Sequence, residues 1–466
     1  MRPKEILTLG IPRGAPLEAA IEAVRTAAKT RSMKKGAIRE SIRRTVKDPA
    51  GMRHDELFGA VAEAIIARKR TSASYVPRDT AAPYEQWGED IEPGAITQMQ
   101  NACSLPHAFK GALMPDAHLG YGLPIGGVLA TEDVVIPYAV GMDIACRMKL
   151  SVLDLPVSTL ERKRPRLEKA IAQETRFGVG AAFETPRQHP VMDEKWSVSK
   201  VTLKEKDKAW RQLGSSGSGN HFVEFGTLTI EERQLGLEPG VYLALLSHSG
   251  SRGVGGAVAG HYSKLAMSSR KELPKELMHL AWLELSSQAG QEYWEAMTLM
   301  GKYAAANHSL IHRHISENLG AEVILDIENH HNFAWKEHHF GKNVVVHRKG
   351  ATPAGRDVLG IIPGSMGTPG YVVRGKGNEL SLFSASHGAG RRMSRNAAKA
   401  RFTVQDARRF LDKRGVVLIS GGLDEAPMAY KDIESVMDAQ QDLVSRIARF
   451  DPRLVKMAPP GEKPED

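Results

Sequence analysis

The stretch Gly214–Glu224 reads GSSGSGNHFVE and predicts a polar, glycine-rich loop that opens into a β-strand. Glycines let a backbone approach an anion closely, with its N–H groups directed at the negative charge. His221 is a candidate metal ligand, and Glu224 could bind a metal or accept hydrogen bonds from a base. A flexible Gly/Ser turn is the simpler interpretation, but the unusual pattern GSGNHFxE favours a ligand-binding loop.

In three other segments, polar residues lie at the end of a predicted strand. These segments are GMDIAC at 141–146, LLSHSGSRG at 245–253 and LDIENHHN at 325–332. Asp143 and Cys146 can converge on one metal if a turn brings them together, and the thiolate can bridge two ions. A single buried cysteine or histidine is more often structural. Several of them at strand ends favour a metal site, although mixed sulfur, nitrogen and oxygen ligands do not select one metal.

Glycines and cations occur together in VVHRKGAT at 345–352, IPGSMGT at 362–368 and SASHGAGRR at 384–392. The glycines after His387 leave its imidazole accessible, which makes it a candidate nucleophile toward phosphorus. A third metal ligand and a plain turn are the alternatives for this histidine. Charge for binding RNA or phosphate is predicted at four positions: Arg252, Arg348, Lys349 and Arg391.

Composition predicts a cytoplasmic protein with no membrane partner. The chain has 466 residues, of which 42% are hydrophobic and 25% are charged, as is usual for globular proteins. Its longest apolar runs are far too short to span a bilayer. With two cysteines, a disulfide framework is not expected, which fits a reducing compartment.

The net charge of +9 is concentrated in the first part of the chain. Residues 1–70 contain 16 Lys/Arg and 8 Asp/Glu, a net charge of +8. Apolar spacing predicts helices that begin near Pro16, cover Ile38–Val46 and cover His54–Arg70. One face of the second helix carries basic residues at four-residue intervals: Lys35, Arg39, Arg43 and Lys47. The segment is either a small bundle with a solvated basic face or an arm that contacts RNA.

Ser, Thr, Pro and Asp cluster over Thr71–Tyr84 and predict a boundary there. We therefore expect a basic helical extension over residues 1–83 and a catalytic domain over residues 84–457. The last residues, 458–466, have the composition of a disordered tail.

Eight motifs occur in the order found in the RtcB family of RNA-splicing ligases, which the chain resembles from about Tyr84 to Lys456. They are MPDAHLGYGLPIGG, GxDxxC, GSGNHFxE, HSGSRG, HHN, HRKGAT, PGSMGT and SHGAGR. The resemblance implies an α+β fold with a deep central cleft for metal and nucleotide. It also implies a ligase that joins RNA 3′-phosphate or 2′,3′-cyclic phosphate ends to 5′-hydroxyl ends, consuming GTP with two Mn²⁺ ions through a histidine–GMP intermediate.

The resemblance also implies roles for individual residues. Cys146 would bridge two manganese ions, His387 would take the guanylate, and Asp116 would orient its imidazole. The remaining metal ligands would be Asp143 and His221 at one ion, and His248 and His331 at the other. The GTP or GMP site would be formed by Asn220, Glu224, Asn332, Ser365, Met366, Ala389, Gly390, Tyr430 and Lys456.

Two residues depart from the family's pattern. Arg147 follows the bridging cysteine where glycine is usual, and Pro353 follows HRKGAT where arginine is common. Both are expected near the path of the RNA end or phosphate, so they concern the choice of RNA rather than the five metal ligands. That RNA, whether transfer RNA halves or another broken RNA, is not specified by the sequence, nor is an activating partner protein.

Two other functions remain open at this stage. A binuclear metal phosphoesterase could use the same ligands without ligation. A non-catalytic RNA-binding factor could use the basic N-terminal segment, and its binding would survive loss of the metal ligands.

Overall fold

The computed structural model describes residues 1–12, 14–30, 33–73, 75, 78 and 80–463, and it leaves the side chains of residues 67–73 outside the description. Helices and strands are mixed along the chain, which confirms the predicted combination of both. The α-helices of the described residues are α1 (Pro3–Thr8), α2 (Ala15–Lys29), α3 (Lys35–Lys47), α4 (Gly59–Ala73), α5 (Pro93–Cys103), α6 (Pro137–Val140), α7 (Thr159–Arg162), α8 (Arg164–Glu174), α9 (Lys200–Gln212), α10 (Arg252–Ser269), α11 (Gln288–Leu319), α12 (Arg395–Arg401), α13 (Val404–Asp412) and α14 (Ile433–Asp438).

The strands of the described residues form two larger sheets and two short pairs. They are β1 (Tyr84–Gln86), β2 (Ala108–His118), β3 (Ile125–Thr131), β4 (Val134–Val135), β5 (Arg147–Leu153), β6 (Phe222–Ile230), β7 (Gly240–Ser249), β8 (Leu283–Glu284), β9 (Val323–His330), β10 (Phe333–His339), β11 (Lys342–Lys349), β12 (Ala351–Pro353), β13 (Leu359–Ile362), β14 (Gly370–Gly375), β15 (Ser384–Ser386), β16 (Val417–Ser420) and β17 (Val444–Met457). One sheet has the order β1-β2-β3-β11-β10, and the other has β13-β14-β17-β6-β7-β5-β9 with β16 beside β17.

Helices α1 to α4 enclose an apolar core of their own, centred on Ile42, Phe58 and Val61. The third predicted helix begins later than expected, at Gly59, because the Asp55 carboxylate accepts the backbone N–H groups of Leu57 and Phe58 in a turn. The sequence pattern did not indicate α1. The predicted boundary over Thr71–Tyr84 lies partly outside the described residues, and the role of the segment as an RNA-contacting arm stays a prediction.

The basic face of α3 is partly paired within this segment. Lys35 and Arg39 both lie near the carboxylate of Glu5 on α1, at 3.5 and 3.4 Å. These pairs are largely exposed, so they add little to stability.

The second large sheet positions the candidate site. Strand β5 lies between β7 and β9 and is antiparallel to both, with Arg147 opposite Ser249 and His330. The start of β5 therefore lies beside the ends of both neighbours. Helix α11 packs along β5 and β7. At its start, the side chain of Ser287 accepts a hydrogen bond from the backbone N–H of Gly290, and Gly320, which is left-handed, follows its last residue, Leu319.

At the other end of the chain, residues 458–463 have defined contacts and so differ from the predicted disordered tail. Ser218 donates a hydrogen bond to the carbonyl of Lys463 at 2.7 Å, and the Val179 N–H donates to Glu462 at 3.2 Å. Residues 464–466 lie outside the described residues. Among the helices that are described, none combines the length and apolarity that crossing a bilayer requires.

Candidate active site

The predicted metal ligands converge because they lie where neighbouring strands begin or end. Cys146 immediately precedes β5, His248 lies near the end of β7, and His331 follows β9. The backbone N–H of His331 donates to the carbonyl of Cys146 at 2.9 Å, which ties these two segments together. His221 joins them because Phe222, the first residue of β6, pairs with His248.

The side-chain atoms of these residues form one buried cluster. The Sγ atom of Cys146 lies 3.4 Å from Nε2 of His221 and 3.1 Å from Nε2 of His248. The Nε2 atoms of His248 and His331 are 3.2 Å apart. Asp143 completes the group, with Oδ2 3.0 Å from Nε2 of His221. Donor atoms of Cys146, His221 and His248 all lie within 4.8 Å of one another, as a metal site requires, and Asp143 and His331 border this group.

Hydrogen bonds to backbone carbonyls determine which imidazole nitrogens can bind a metal. Nδ1 of His221 contacts the carbonyl of Ser216 at 2.9 Å, and Nδ1 of His248 contacts the carbonyl of Asn220 at 3.2 Å. A carbonyl only accepts, so each Nδ1 must carry the proton. Nε2 of His248 then presents its lone pair to the cluster, whereas Nε2 of His221 faces the Asp143 carboxylate. A hydrogen bond from the ring nitrogen that does not bind the metal is the usual support of a metal-bound histidine.

Burial favours the neutral form of two imidazoles of the cluster, those of His248 and His331. Burial, together with the nearby His221 and His387, lowers the pKa of His248 to about 3. Burial also lowers the pKa of His331 well below its ordinary value. The buried Nδ1 of His331 has no hydrogen-bond partner among the described residues. Neutral imidazoles beside a thiol and a carboxylate fit a divalent metal, because ligands must be deprotonated to bind one.

Two glycines allow this close approach. A Cβ atom at Gly250 would lie 2.0 Å from Oδ2 of Asp143, so a side chain there would displace the carboxylate. At Gly217, where φ is +110°, a Cβ would lie 1.8 Å from the Arg252 guanidinium and 2.8 Å from Nδ1 of His221. The glycines of GSGNH and HSGSRG are therefore needed for packing around the ligands as well as for loop conformation.

His387 lies next to the cluster and is oriented by Asp116. Nδ1 of His387 is 2.7 Å from Oδ2 of Asp116, and the same oxygen accepts the backbone N–H groups of His387 and Gly388 at 3.1 and 3.3 Å. Asp116 is fully buried, at 0% exposure. The carboxylate holds the proton on Nδ1, which leaves Nε2 unprotonated. The rings of His387 and His331 are 4.9 Å apart between centroids.

A cavity of about 540 Å³ connects these groups. Its walls include Asp143, Cys146, His248, His331 and His387. The volume lies in the range of small-molecule binding sites. The site therefore combines a metal-ligand cluster, an oriented imidazole and space for a substrate of nucleotide size.

This arrangement agrees with the sequence comparisons. Residues 98–457 match the family model described as tRNA-splicing ligase RtcB. The chain belongs to the RtcB family. It is 35% identical over 401 residues to the RNA-splicing ligase RtcB of Escherichia coli strain K12, covering 78% of this chain and 95% of the relative. It is 32% identical over 450 residues to the tRNA-splicing ligase RtcB of Methanococcus maripaludis, covering 80% and 92%.

A third relative, the RNA-splicing ligase RtcB of Mycobacterium tuberculosis, is 31% identical over 427 residues, covering 76% of this chain and 98% of the relative. The RtcB match begins after α4, so the basic N-terminal helices lie outside the residues matched by the family model.

Most of the residues predicted for the nucleotide lie in the wall of the cavity. They are Asn220, Asn332, Ser365, Met366, Ala389, Gly390 and Tyr430. Asn332 also supports the site, because its Oδ1 accepts the backbone N–H of Gly350 at 2.8 Å. Lys456 lies outside the described lining, with its ammonium 5.5 Å from the centre of the Phe177 ring.

Glu224 is buried and lies outside the described cavity lining. Its Oε2 has no hydrogen-bond partner among the described residues, and the same holds for Oδ1 of Asn220, which lines the cavity. Burial raises the pKa of Glu224 well above its ordinary value. Buried polar atoms that lack partners are costly, so a bound ligand is one explanation for both.

The four cations predicted for RNA or phosphate have different surroundings. Lys349 and Arg391 line the cavity, whereas Arg252 and Arg348 do not belong to its described lining. The Nε atom of Arg252 donates to Ser215 Oγ at 3.0 Å, so this arginine braces the glycine-rich loop. Arg391 is held by Glu425 at 2.9 Å.

Among the four predicted phosphate ligands, Arg348 has the surroundings that differ most from the prediction. It is 1% exposed and donates to both carboxylate oxygens of Glu337, at 2.6 and 2.9 Å. A third hydrogen bond of 2.8 Å goes to the carbonyl of Leu382. Its guanidinium is committed to these groups, so Arg348 stabilises the sheet and is not positioned to bind phosphate.

This buried pair leads to a prediction for stability. Burial by itself would raise the pKa of Glu337, but the charge of Arg348 and hydrogen bonds from His339 and Arg348 lower it to about 2. Glu337→Gln should leave the Arg348 charge unpaired and reduce the free energy of unfolding by about 3 kcal/mol at neutral pH. Because the folded pKa is depressed, the difference from wild type should shrink as pH falls from about 4.5 toward 2.

Chemical denaturation at several pH values measures this effect. Glu63→Gln is the matched control, because the Arg53–Glu63 pair is roughly half exposed and should contribute less than about 1 kcal/mol. A Glu337→Gln difference that stays constant between about pH 2 and 7 would show that the ion pair is not its cause.

The two departures from the RtcB pattern also lie outside the described cavity lining. The Arg147 guanidinium donates to Glu328 at 3.0 Å and to the carbonyl of Gly301 at 3.3 Å. Pro353 ends β12, where it pairs with Ser384. Neither residue belongs to the described cavity lining, and their expected place near the path of the RNA end stays a prediction.

Other residues of the lining were not identified from the sequence. They include His118, Tyr121, Tyr138, Phe222 and Arg395. His118 and Tyr121 lie within MPDAHLGYG, so the length of this motif was the available signal. Phe222 lies within GSGNHFxE, whereas Tyr138 and Arg395 lie on segments without a distinctive motif, and only their spatial position connects these two with the site.

Proposed function

We propose that the protein is a GTP-dependent RNA ligase that joins RNA 3′-phosphate ends to 5′-hydroxyl ends through a guanylate carried on His387. The observation that carries the proposal is the contact of His387 Nδ1 with Asp116 Oδ2 at 2.7 Å, beside the metal-ligand cluster. Membership in the RtcB family supports RNA as the substrate. The names of the bacterial and archaeal relatives support splicing of RNA as its context.

In the first step, Nε2 of His387 attacks the α-phosphorus of GTP. A phosphorus–nitrogen bond forms, the bond to the bridging oxygen breaks, and pyrophosphate leaves. Asp116 keeps the imidazole in the tautomer with the proton on Nδ1 and stabilises the positive charge that develops on the ring.

In the second step, an RNA 3′-phosphate oxygen attacks the phosphorus of the histidine-bound guanylate, and Nε2 of His387 leaves. The RNA then carries an activated 3′-end. In the third step, the 5′-hydroxyl of the other RNA attacks the 3′-phosphorus, and GMP leaves as the phosphodiester forms. RNA that ends in a 2′,3′-cyclic phosphate is hydrolysed to the 3′-phosphate before the second step.

We assign the metal to the cluster of five ligands. Two manganese ions held by Asp143, Cys146, His221, His248 and His331 would neutralise the charge that develops on the phosphates. Thiolate, imidazole and carboxylate donors together can hold a divalent ion but do not select one metal, so the choice of manganese rests on the resemblance to the RtcB family. The Nδ1 contacts with backbone carbonyls orient both rings so that Nε2 of His221 and Nε2 of His248 face the cluster.

We assign the nucleotide to the wall of the cavity formed by the PGSMGT and SHGAGR segments. Ser365, Met366, Ala389, Gly390 and Tyr430 would contact the guanosine. Asn220 and Glu224 would supply hydrogen bonds, since each has a buried oxygen that lacks a partner among the described residues. If Glu224 is protonated or hydrogen-bonded to the ligand, the free-energy cost of burying its carboxyl group without a partner is removed.

Incubation with manganese and GTP labelled at the α-phosphate tests this function. We expect a labelled band at the mass of the chain on a denaturing gel, and joining of a 3′-phosphate RNA to a 5′-hydroxyl RNA. A phosphoesterase would release phosphate from RNA without labelling the protein. A non-catalytic RNA-binding factor would retain RNA without either reaction, and each of these results would contradict the proposal.

A further inference from the structure

The loop between β2 and β3 presents a large aromatic side chain at the cavity. Tyr121 is 68% exposed and also belongs to the cavity lining. Exposed tyrosines are common on protein surfaces, so exposure by itself indicates no role. The position of Tyr121 is distinctive because the backbone that carries it is held firmly.

Contacts from three directions fix this loop. The amide of Gln98 on α5 both donates to the carbonyl of Gly120, at 2.6 Å, and accepts its N–H, at 3.0 Å. The ammonium of Lys349 donates to the carbonyl of Tyr121 at 2.6 Å. Gly122 packs against the backbone of His279 so closely that a Cβ there would lie 2.7 Å from its carbonyl oxygen. The loop is therefore preorganised while the Tyr121 ring stays open to solvent.

Further aromatic rings lie next to Tyr121. The His279 ring is edge-on to Tyr121 with centroids 5.7 Å apart, and edge-on to Tyr138 at 4.7 Å. Tyr138 also lines the cavity. Such edge-to-face contacts set the orientation of the rings. They leave most of the Tyr121 surface available for another planar group.

The loop is also connected to the nucleophile. Lys349, which holds the Tyr121 carbonyl, is followed by Gly350, where a Cβ would lie 3.2 Å from Cε1 of His387. Lys349 is buried and lines the cavity, so it brings a basic group to this region. Tyr121 belongs to a different segment of the lining from Ser365, Met366 and Tyr430, to which we assign the guanosine.

We propose that Tyr121 is a stacking platform for a nucleobase of the RNA next to the joining ends. This inference rests on the proposed ligase function and adds a residue that positions the RNA rather than one that reacts. Proteins hold single-stranded nucleic acid by stacking bases on aromatic side chains beside basic groups. An exposed ring on a firmly held loop, in the same cavity lining as a buried lysine and the nucleophile, has the features of such a platform.

The test compares Tyr121→Ala with Tyr121→Phe on joining of a 3′-phosphate RNA to a 5′-hydroxyl RNA. Tyr121→Ala should raise the KM for RNA by about tenfold to a hundredfold, the range for loss of one base–aromatic stack. Tyr121→Phe should remain close to wild type because the ring is kept. The kcat and the labelling of the protein by GTP should be unchanged in both variants.

Abasic RNA distinguishes stacking from a structural role. One substrate lacks the base of its 3′-terminal nucleotide and a second lacks the base of its 5′-terminal nucleotide. On one of these, the wild type should lose affinity and Tyr121→Ala should cause no further loss. Phe340→Ala is the matched control, because Phe340 is 43% exposed and lies outside the cavity lining.

An equal effect of Tyr121→Ala on complete RNA and on both abasic RNAs would overturn the proposal. Weaker labelling of Tyr121→Ala by GTP would also overturn it, because that result would place the ring in the nucleotide site. Absence of GTP labelling in the wild-type protein would instead contradict the proposed function. In that case, anisotropy of a fluorescent 3′-phosphate RNA still tests the platform: Tyr121→Ala must weaken binding of complete RNA and must not weaken binding of one of the abasic RNAs.

Discussion

Replacement of His387 by alanine should reduce labelling of the protein by α-labelled GTP below detection, a loss of at least about a thousandfold. Nε2 of His387 is the atom that forms the bond to phosphorus in the proposed reaction, and no solvent molecule can substitute for it in a covalent product. The label on wild-type protein should be released by acid and resist alkali, as a phosphoramidate does. Denaturing gels and mass spectrometry of the labelled peptide measure both properties.

Two controls separate chemistry from folding in the His387→Ala variant. Its manganese content should equal that of wild type, because the ring is not among the five proposed ligands. It should also join an RNA supplied with a guanylylated 3′-end, since the third step does not use the nucleophile. Label that persists in His387→Ala, or that maps to a lysine of the wild type, would disprove the assignment.

Replacement of Cys146 by alanine should remove bound manganese and, with it, all GTP-dependent chemistry. The Sγ atom lies within 3.4 Å of two imidazole nitrogens at the centre of the cluster, so one substitution affects both proposed ions. Elemental analysis of the purified variant measures the metal directly and does not depend on activity. Unchanged metal content would show that the cysteine does not bridge two ions.

Cys103→Ala is the matched control for this variant. Cys103 is also buried, at 1% exposure, but it packs in the apolar core on α5. Burial raises the pKa of its thiol to about 12, so it stays protonated at neutral pH and is a poor metal ligand. Cys103→Ala should therefore keep wild-type manganese content and GTP labelling.

The sequence carried enough information to identify the ligand candidates. Each of Asp143, His221, His248 and His331 lies in a short segment in which a predicted strand meets a polar turn, and strand ends can be recognised from local composition. What local composition cannot provide is the neighbour of each strand. The cluster forms because β5 lies between β7 and β9, and this order brings together residues that are far apart in the chain.

Arg348 and Tyr121 also show that local sequence does not specify contacts with distant segments. The pattern HRKGAT predicted a phosphate ligand at Arg348, but the hairpin of β10 and β11 places Glu337 where it pairs with the guanidinium. Tyr121 had no predicted role, and its exposure on a fixed loop depends on Gln98 and Lys349 from two other elements.

Local periodicity, charge and long motifs were enough to predict the mixture of helices and strands, three of the four N-terminal helices and the family. Which of the predicted cations lie at the cavity, and which stabilise the fold through internal contacts, depends on the tertiary structure. A charged side chain that becomes buried must be paired, and its partner is set by strand order and register. Those are properties of the whole chain that no single segment contains.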